Sequence, residues 1–576
     1  MAGQPKTPFY LAMAAVVAGL VAFAAYRSDL IAPKAKQKQQ DKISVQELGQ
    51  NAESADGTAP ATTVKEYSFK AAERLPEIKQ ASRYKPMKDN TVRFALNVWA
   101  GWAPIILANN GTKAEKVWKT PDGEEFKVEL VIIDNPMAMI QAYTSGDIHI
   151  GWGTLDMIPL FVDGMVDKTG RPKENFDVIM PRIFQQIDWS NGGDGIVVRD
   201  SIKTVADLRD KTLVLAQNSP SQYFALNMLV AGGVQPSEVN MIYTNDAFAA
   251  AAAFGADKQK TISGVVSWSP DIYTLEKVKG NRMLVNTQTA NKLISDIWFA
   301  RADFAKDHPG IIEALVRGIF DGMVDLKKPE RKQECSKLMA TAYNIPADDA
   351  LKMFDDAHNT NWAENYQFFL NQNNPTNFER VWRQSYYLYR QIGTIQNSPV
   401  RFDQIMDFSV IQKLGNEEKY KSQQDEYQVQ IAPTTVGKIR AEGDEILKNT
   451  IVIHFPPNLW DMHFKKDNGE LYDPNVDNVL EGVGKLVGTF GAARVIIEGH
   501  TDGSMKNRVP AELVKTLSMN RAAAVRQALA DKYPDIDASR FYVDGMGWER
   551  PADPQNPLDH GKNRRVEIKV YSAEKQ

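Results

Sequence analysis

From residue 92 onward, short apolar runs alternate with stretches of helical spacing, a pattern that predicts α/β layers with largely parallel strands. Strands are expected at 92–96, 128–133, 148–151, 195–198, 212–215 and 265–270. Helices open at Ala103-Pro104, at Pro136 and at Ser219-Pro220, where a cap followed by proline suits a first turn, and they dominate after Asp303. A second block starts near residue 450 with a strand that Pro456-Pro457 ends. The helix after Asp473-Pro474 carries Val476, Val479, Leu480, Val483, Leu486 and Val487 on one face. The run Val495-Ile496-Ile497 then leaves as a strand through Gly499-His500-Thr501-Asp502-Gly503. In the following helical stretch Leu517, Arg521, Val525, Ala528 and Leu529 share one face. A bare guanidinium in that stripe is costly, so Arg521 requires an acceptor, and Asp502 is the nearest candidate in the motif. An ordinary capped helix with Arg521 in a buried ion pair is the competing reading. Two helices on one face of a small mixed sheet complete the expected second block.

Length and composition add boundaries. At 576 residues the chain is too long for one core, which points to several units. Residues 9–26 form an uncharged run about as short as a membrane-spanning helix can be. It reads as an uncleaved anchor in the inner membrane, with cleavage after Ala22-Phe23-Ala24 as the alternative. Residues 28–90 are Lys-, Gln-, Ala- and Thr-rich and read as a disordered linker, with a span of about 40 to 50 Å. The expected division is 1–27 anchor or signal, 28–90 linker, 91–418 central domain, 419–440 polar joint, and 441–576 final domain. A formal charge of -4 gives no footprint for nucleic acid, and one cysteine, Cys335, excludes an intrachain disulfide and a cysteine zinc site.

Several motifs of the final block, in order, carry a resemblance: Gly499-His500-Thr501-Asp502, Leu517-Ser518 with Arg521-Ala522, Gly545-Met546-Gly547, Pro551, and Asn563-Arg564-Arg565-Val566-Glu567-Ile568. Residues 440–573 resemble the OmpA C-terminal domain family, whose members bind peptidoglycan non-covalently. The resemblance implies that Asp502 and Arg521 hold the zwitterionic end of the diaminopimelate stem peptide, a fork-shaped guanidinium taking its carboxylate. Thr501, Leu517 and Arg565 are carried over as the pocket rim. The loop from Asp502 to Leu517 is longer than usual in the family, and Val514 stands where asparagine is common.

The central block resembles the type II periplasmic solute-binding proteins of ABC importers, in the nitrate, sulfonate and thiamine-precursor branch. Ala100-Gly101-Trp102-Ala103-Pro104, Ser145-Gly146-Asp147-Ile148, Gly193-Asp194-Gly195-Ile196-Val197-Val198, Asp207-Leu208 and Phe304-Ala305-Lys306-Asp307-His308-Pro309 carry that likeness. It implies two lobes, about 91–190 with 300–418 and about 191–299, around a ligand cleft. Ligands of such lobes sit beyond the carboxyl ends of strands. The segments meeting that description contribute Trp99, Trp102, Trp152, Thr154, Trp189, Ser219, Ser221, Asp246 and Trp268 as candidates. Core packing is the competing role for each tryptophan. Acids and indole faces favour an organic cation, helix termini an anion, and the sequence leaves both open.

Catalysis is not expected. The related precursor synthases use a cysteine-rich motif that this chain lacks, the seven histidines show no metal-ligand spacing, and His500 reads as strand-end packing. No cofactor or metal is expected. The sequence therefore leads to a periplasmic, inner-membrane-anchored solute-binding protein of a Gram-negative-type envelope, docked on peptidoglycan and working with an ABC permease. An envelope scaffold or stress-response protein that binds no solute is the alternative.

Overall fold

The computed structural model describes Glu53 and residues 67–75, 77–78, 80–427, 432, 434–451, 453 and 455–572. The central block lays down β1 (Thr91–Leu96), β2 (Val117–Lys119), β3 (Glu125–Ile132), β4 (Ile150–Thr154) and β5 (Pro181–Ser190). It crosses to β6 (Asp194–Arg199), β7 (Thr212–Ala216), β8 (Asn240–Thr244), β9 (Gly264–Trp268) and β10 (Asn281–Asn286), then returns as β11 (Ser295–Arg301) and β12 (Ala357–Asn359). One sheet has the order β12-β5-β11-β4-β1-β3-β2 and the other β10-β6-β9-β7-β8. These are the sheets of two lobes, joined by the β5–β6 and β10–β11 passages.

The strands are less parallel than expected. β1 runs parallel to β3 and β4, and β7 to β8 and β9. However, β11 is antiparallel to both β4 and β5, and β6 is antiparallel to β9 and β10. The reversals belong to the chain's passages between lobes, where a strand enters a sheet without a crossover helix.

The final block builds β13 (Glu445–Ile451), β14 (Arg494–Gly499), β15 (Phe541–Gly545) and β16 (Val566–Tyr571) into a sheet of order β13-β16-β14-β15. Helices Val476–Thr489 and Ala511–Lys532 supply Val479, Leu480, Val483, Val525 and Leu529 to its core, as the apolar spacing requires.

The described residues of both linkers make specific contacts with the folded domains. Residues 67–75, 77–78 and 80–90 lie along the central domain: Tyr67 donates to the Val230 carbonyl at 2.8 Å, Ala72 N donates to the Ile392 carbonyl at 2.8 Å, and Arg74 pairs with Asp163 at 2.7 Å. Phe69, Leu75 and Ile78 pack on the core between these points. In the 419–440 joint, Tyr420 is buried and Tyr427 stacks on His358 at 3.9 Å, while the short helix Val436–Glu442 buries Ile439 against β14 and β16. Sparse apolar residues suffice for this because each has a prepared hollow. Among the described residues no helix is long and apolar enough to cross a membrane. The apolar run at 9–26 and the anchor expected there lie outside the described residues.

The final domain touches both lobes. Arg282 pairs with Asp444 at 2.7 Å and Asn449 donates to the Ala231 carbonyl at 3.0 Å on one lobe. Asn371 donates to Asp535 at 2.6 Å on the other, and Lys292 N donates to the Thr489 carbonyl at 3.2 Å at the return passage.

Candidate functional site

Two glycines let the 511–532 helix lie on the strand ends of the final sheet. A Cβ on Gly499 would stand 1.9 Å from the Ser518 carbonyl oxygen, and one on Gly545 would stand 2.1 Å from that of Lys515. This close seat carries Arg521 toward the loop that leaves β14. Asp502 there caps the turn Gly503–Met505, accepting from Ser504 N at 2.7 Å. Its other oxygen accepts from Arg564 Nε and lies 2.8 Å from His560 Nδ1. Burial alone would raise its pKa, but Ser504, the Arg564 charge and His560 outweigh it and hold the carboxyl below its ordinary range.

Arg521 does not take Asp502 as its acceptor. Its Nη1 and Nη2 make a two-pronged pair with the carboxylate of Glu53 at 2.8 and 2.5 Å, and its Nε donates to the Leu459 carbonyl at 3.1 Å. The guanidinium lies 5.2 Å from the centre of the Phe455 ring. Glu53 is 3 % exposed. Its backbone N–H donates to Asn458 Oδ1 at 3.2 Å, and Asn458 N donates back to its carboxylate at 3.2 Å. Burial pushes the Glu53 pKa up, but the Arg521 charge and hydrogen bonds, Arg564 and Asn458 together bring it below normal. Arg564 Nε also lies 3.6 Å from Glu53, so Asp502, Arg564, Glu53 and Arg521 form one chain of alternating charge.

The rim residues divide. Thr501 is buried, its N–H donates to the Gly547 carbonyl at 2.8 Å, and its hydroxyl has no hydrogen-bond partner among the described residues. Leu517 packs with Met505, Val509 and Val514, so Val514 is a core residue here. Arg565 turns away from Asp502 and donates to Glu567 at 2.7 Å and to the Arg550 carbonyl at 3.0 Å. Behind it, Glu498, His500 and Glu567 bring ligand atoms within 4.8 Å of one another, a grouping that sequence spacing did not reveal. A cation there would compete with Lys569, 2.9 Å from Glu498, with Arg440, 2.6 Å from Glu498, and with Arg565. The donor set is already neutralised by protein charges.

The cleft candidates also divide. Trp102 is core, edge-on to Phe94 with its N–H on Asn97 at 2.7 Å, and Trp152 donates to the Ile133 carbonyl at 2.9 Å. Trp189 sits against Phe368 and lines a cavity of about 560 Å³ at the seam with the final domain, beside Asn291, Tyr427 and Arg540. Ser219 donates to the Ala216 carbonyl at 2.9 Å, Asp246 is an exposed helix cap on Ala249 N, and half-buried Trp268 meets Phe248 edge-on. Thr154 and Ser221 are buried; the Thr154 side chain hydrogen-bonds to the Asp156 carboxyl, and the Ser221 hydroxyl has no hydrogen-bond partner among the described residues.

Trp99 marks a group the sequence did not expose. Its N–H reaches Asp188 at 3.3 Å, and its ring fills the space over Gly193, where a Cβ would stand 2.3 Å away. Asp188 on β5 is the register partner of Asp296 on β11, and Asp156 and Asp194 lie close enough to act on that pair. All four are buried, and burial raises each: Asp156 and Asp194 are pushed up to about 7, and Asp188 and Asp296 also rise. No ion pair joins any of them to a base among the described residues. A carboxyl at one strand position opposite another would have been the signal, had β5 and β11 been recognised as strands.

Residues 463–565 match the OmpA family and residues 191–331 match the family described as NMT1/THI5 like. The chain thus joins an NMT1/THI5-like solute-binding domain to a C-terminal OmpA domain. The taurine-binding periplasmic protein of Escherichia coli (strain K12) is 24% identical over 247 residues, covering 41% of this chain and 69% of that protein. The outer membrane protein Omp38 of Acinetobacter baumannii is 32% identical over 137 residues, 24% of this chain and 34% of Omp38. Among solved structures, the periplasmic aliphatic sulphonate binding protein SsuA from Escherichia coli has a TM-score of 0.41 at 18% identity, covering 55% of this chain and 97% of that one. The SsuA of Methylobacillus flagellatus KT has a TM-score of 0.44 at 19% identity, over 58% of this chain and 98% of its own.

Proposed function

We propose that this is a periplasmic solute-binding protein of the ABC-importer type, anchored in the inner membrane by residues 9–26 and docked on peptidoglycan through Asp502 and Arg521. The observation that carries the docking is the two-pronged seat of a carboxylate on a nearly buried Arg521, in the same charge chain as Asp502. That is the chemistry needed to receive the carboxylate and ammonium of a diaminopimelate end. Asp502→Ala and Arg521→Ala are each expected to abolish co-sedimentation with purified sacculi; retention of both variants in the pellet overturns the assignment.

The solute bears an ammonium group in this reading: the buried acids Asp156, Asp188, Asp194 and Asp296 have no basic partner among the described residues, and an ammonium beside them would let them ionise. The relative that binds taurine is consistent with such a ligand. A second reading, a scaffold that binds no solute, is favoured by the way Trp99 and Asp188 fill the space against Gly193 and Gly101. Melting the whole protein with a panel of amines, amino sulfonates and bare sulfonates separates the two. A solute binder gains stability by mass action, about 2.7 kcal/mol at a hundredfold excess over Kd, and a scaffold shows no shift with any of them.

A further inference from the structure

The geometry points to a self-occupied wall site: the carboxylate of Glu53 is an internal stand-in for the peptidoglycan carboxylate, and the wall must displace it. The inference rests on the docking function proposed above. Glu53 offers Arg521 a two-pronged carboxylate and offers Asn458 a backbone N–H, so it presents a negative group and a donor together. A diaminopimelate end presents the same pair. The ammonium seat is filled as well, since Asp502 is held by the Arg564 guanidinium and by His560. Both halves of the incoming zwitterion therefore meet a group of the chain already in place.

Glu53 belongs to the amino-terminal stretch, not to the domain it occupies. The next described residue, Tyr67, is fixed to the central domain through the Val230 carbonyl at 2.8 Å. The intervening stretch, about 13 residues, can reach at most about 50 Å when extended. A competitor carried on the same chain acts at a high local concentration, on the order of millimolar. If Glu53 holds the pocket nine-tenths of the time or more, the apparent affinity for the wall falls by about tenfold or more.

Glu53→Gln keeps the size of the side chain and removes its charge. Two measurements on the full-length protein test the idea. In a melting-temperature cycle of Glu53→Gln, Arg521→Gln and the double variant, a contact made in solution gives a double loss smaller than the sum of the single losses; strict additivity overturns the proposal. In sedimentation with purified sacculi, Glu53→Gln is expected to bind about tenfold more tightly than the unmodified protein, and the gain must vanish when Arg521→Gln is added. Equal binding by Glu53→Gln and the unmodified protein, with Arg521→Gln failing to bind, rejects the competitor while leaving the docking function intact. Absence of any Arg521-dependent pelleting rejects docking and the competitor with it.

Discussion

Neighbouring arginines show how one residue's direction decides its role. Arg564 and Arg565 stand side by side at the entry to β16, where successive side chains point to opposite faces. One binds Asp502, the other Glu567. The motif displayed both, but only a fixed strand register says which faces the pocket. The need of Arg521 for an acceptor was legible because an arginine in an apolar helical stripe has no packing reason to be there, although Asp502, the acceptor expected, pairs with Arg564 instead. Glu53 was not, since nothing local distinguishes it from other acids of a polar stretch. The Asp188–Asp296 pair allows a sharper test. One of two facing buried carboxyls must hold a proton, and an amide in place of one would donate to the other and let it ionise. Asp296→Asn is expected to raise the melting temperature at pH 8, because the remaining carboxylate is no longer held against a second buried acid. An unchanged or lower melting temperature there counts against the pair.

At the scale of elements, the final domain depends on how closely its helix approaches the sheet. The Gly499 backbone lies under Ser518, three positions before Arg521, so a methyl group at 499 would push away the turn that positions the guanidinium. Gly499→Ala is expected to cost about 1–3 kcal/mol, the usual range for overpacking, and to weaken sacculus binding more than it weakens the fold. Denaturant melts and pelleting on the same preparation check both. The helices of this domain and its β14 strand were readable from apolar spacing. β5 and β11 were not: Gln185, Gln186, Asp188 and Asp296 interrupt their apolar pattern yet are buried. Those strands carry polar side chains inward because each finds a partner there, Gln185 with Trp298 and the Val316 carbonyl, Gln186 with Ser295 and Asp188 with Trp99, and a reading that equates buried with apolar passes over them.

For the whole molecule, the two domains respond to acid in opposite directions. Asp156 and Asp194 titrate near 7 when folded, against 3.8 in the unfolded chain, so the folded state keeps protons that the unfolded state releases. Their stabilising effect is complete below about pH 4 and is lost as pH rises through 7. Glu498, lowered from 4.5 to about 2, stabilises its domain above about pH 4.5, and that effect disappears as pH falls toward 2. Hydrogen exchange followed by mass spectrometry, corrected for the intrinsic pH dependence of exchange, should show the end of β4 and the start of β6 losing protection from about pH 4 to 7, and β14 and β16 losing it below about pH 4. The seam between the domains has a mechanical consequence. Because the last domain rests at once on Arg282 and Ala231 of one lobe and on Asn371 of the other, it spans the hinge like a clasp. A swing of the lobes must slide or release one end of that clasp, so, under the docking function proposed above, a load taken up at the cell wall would bias the closing of the two lobes.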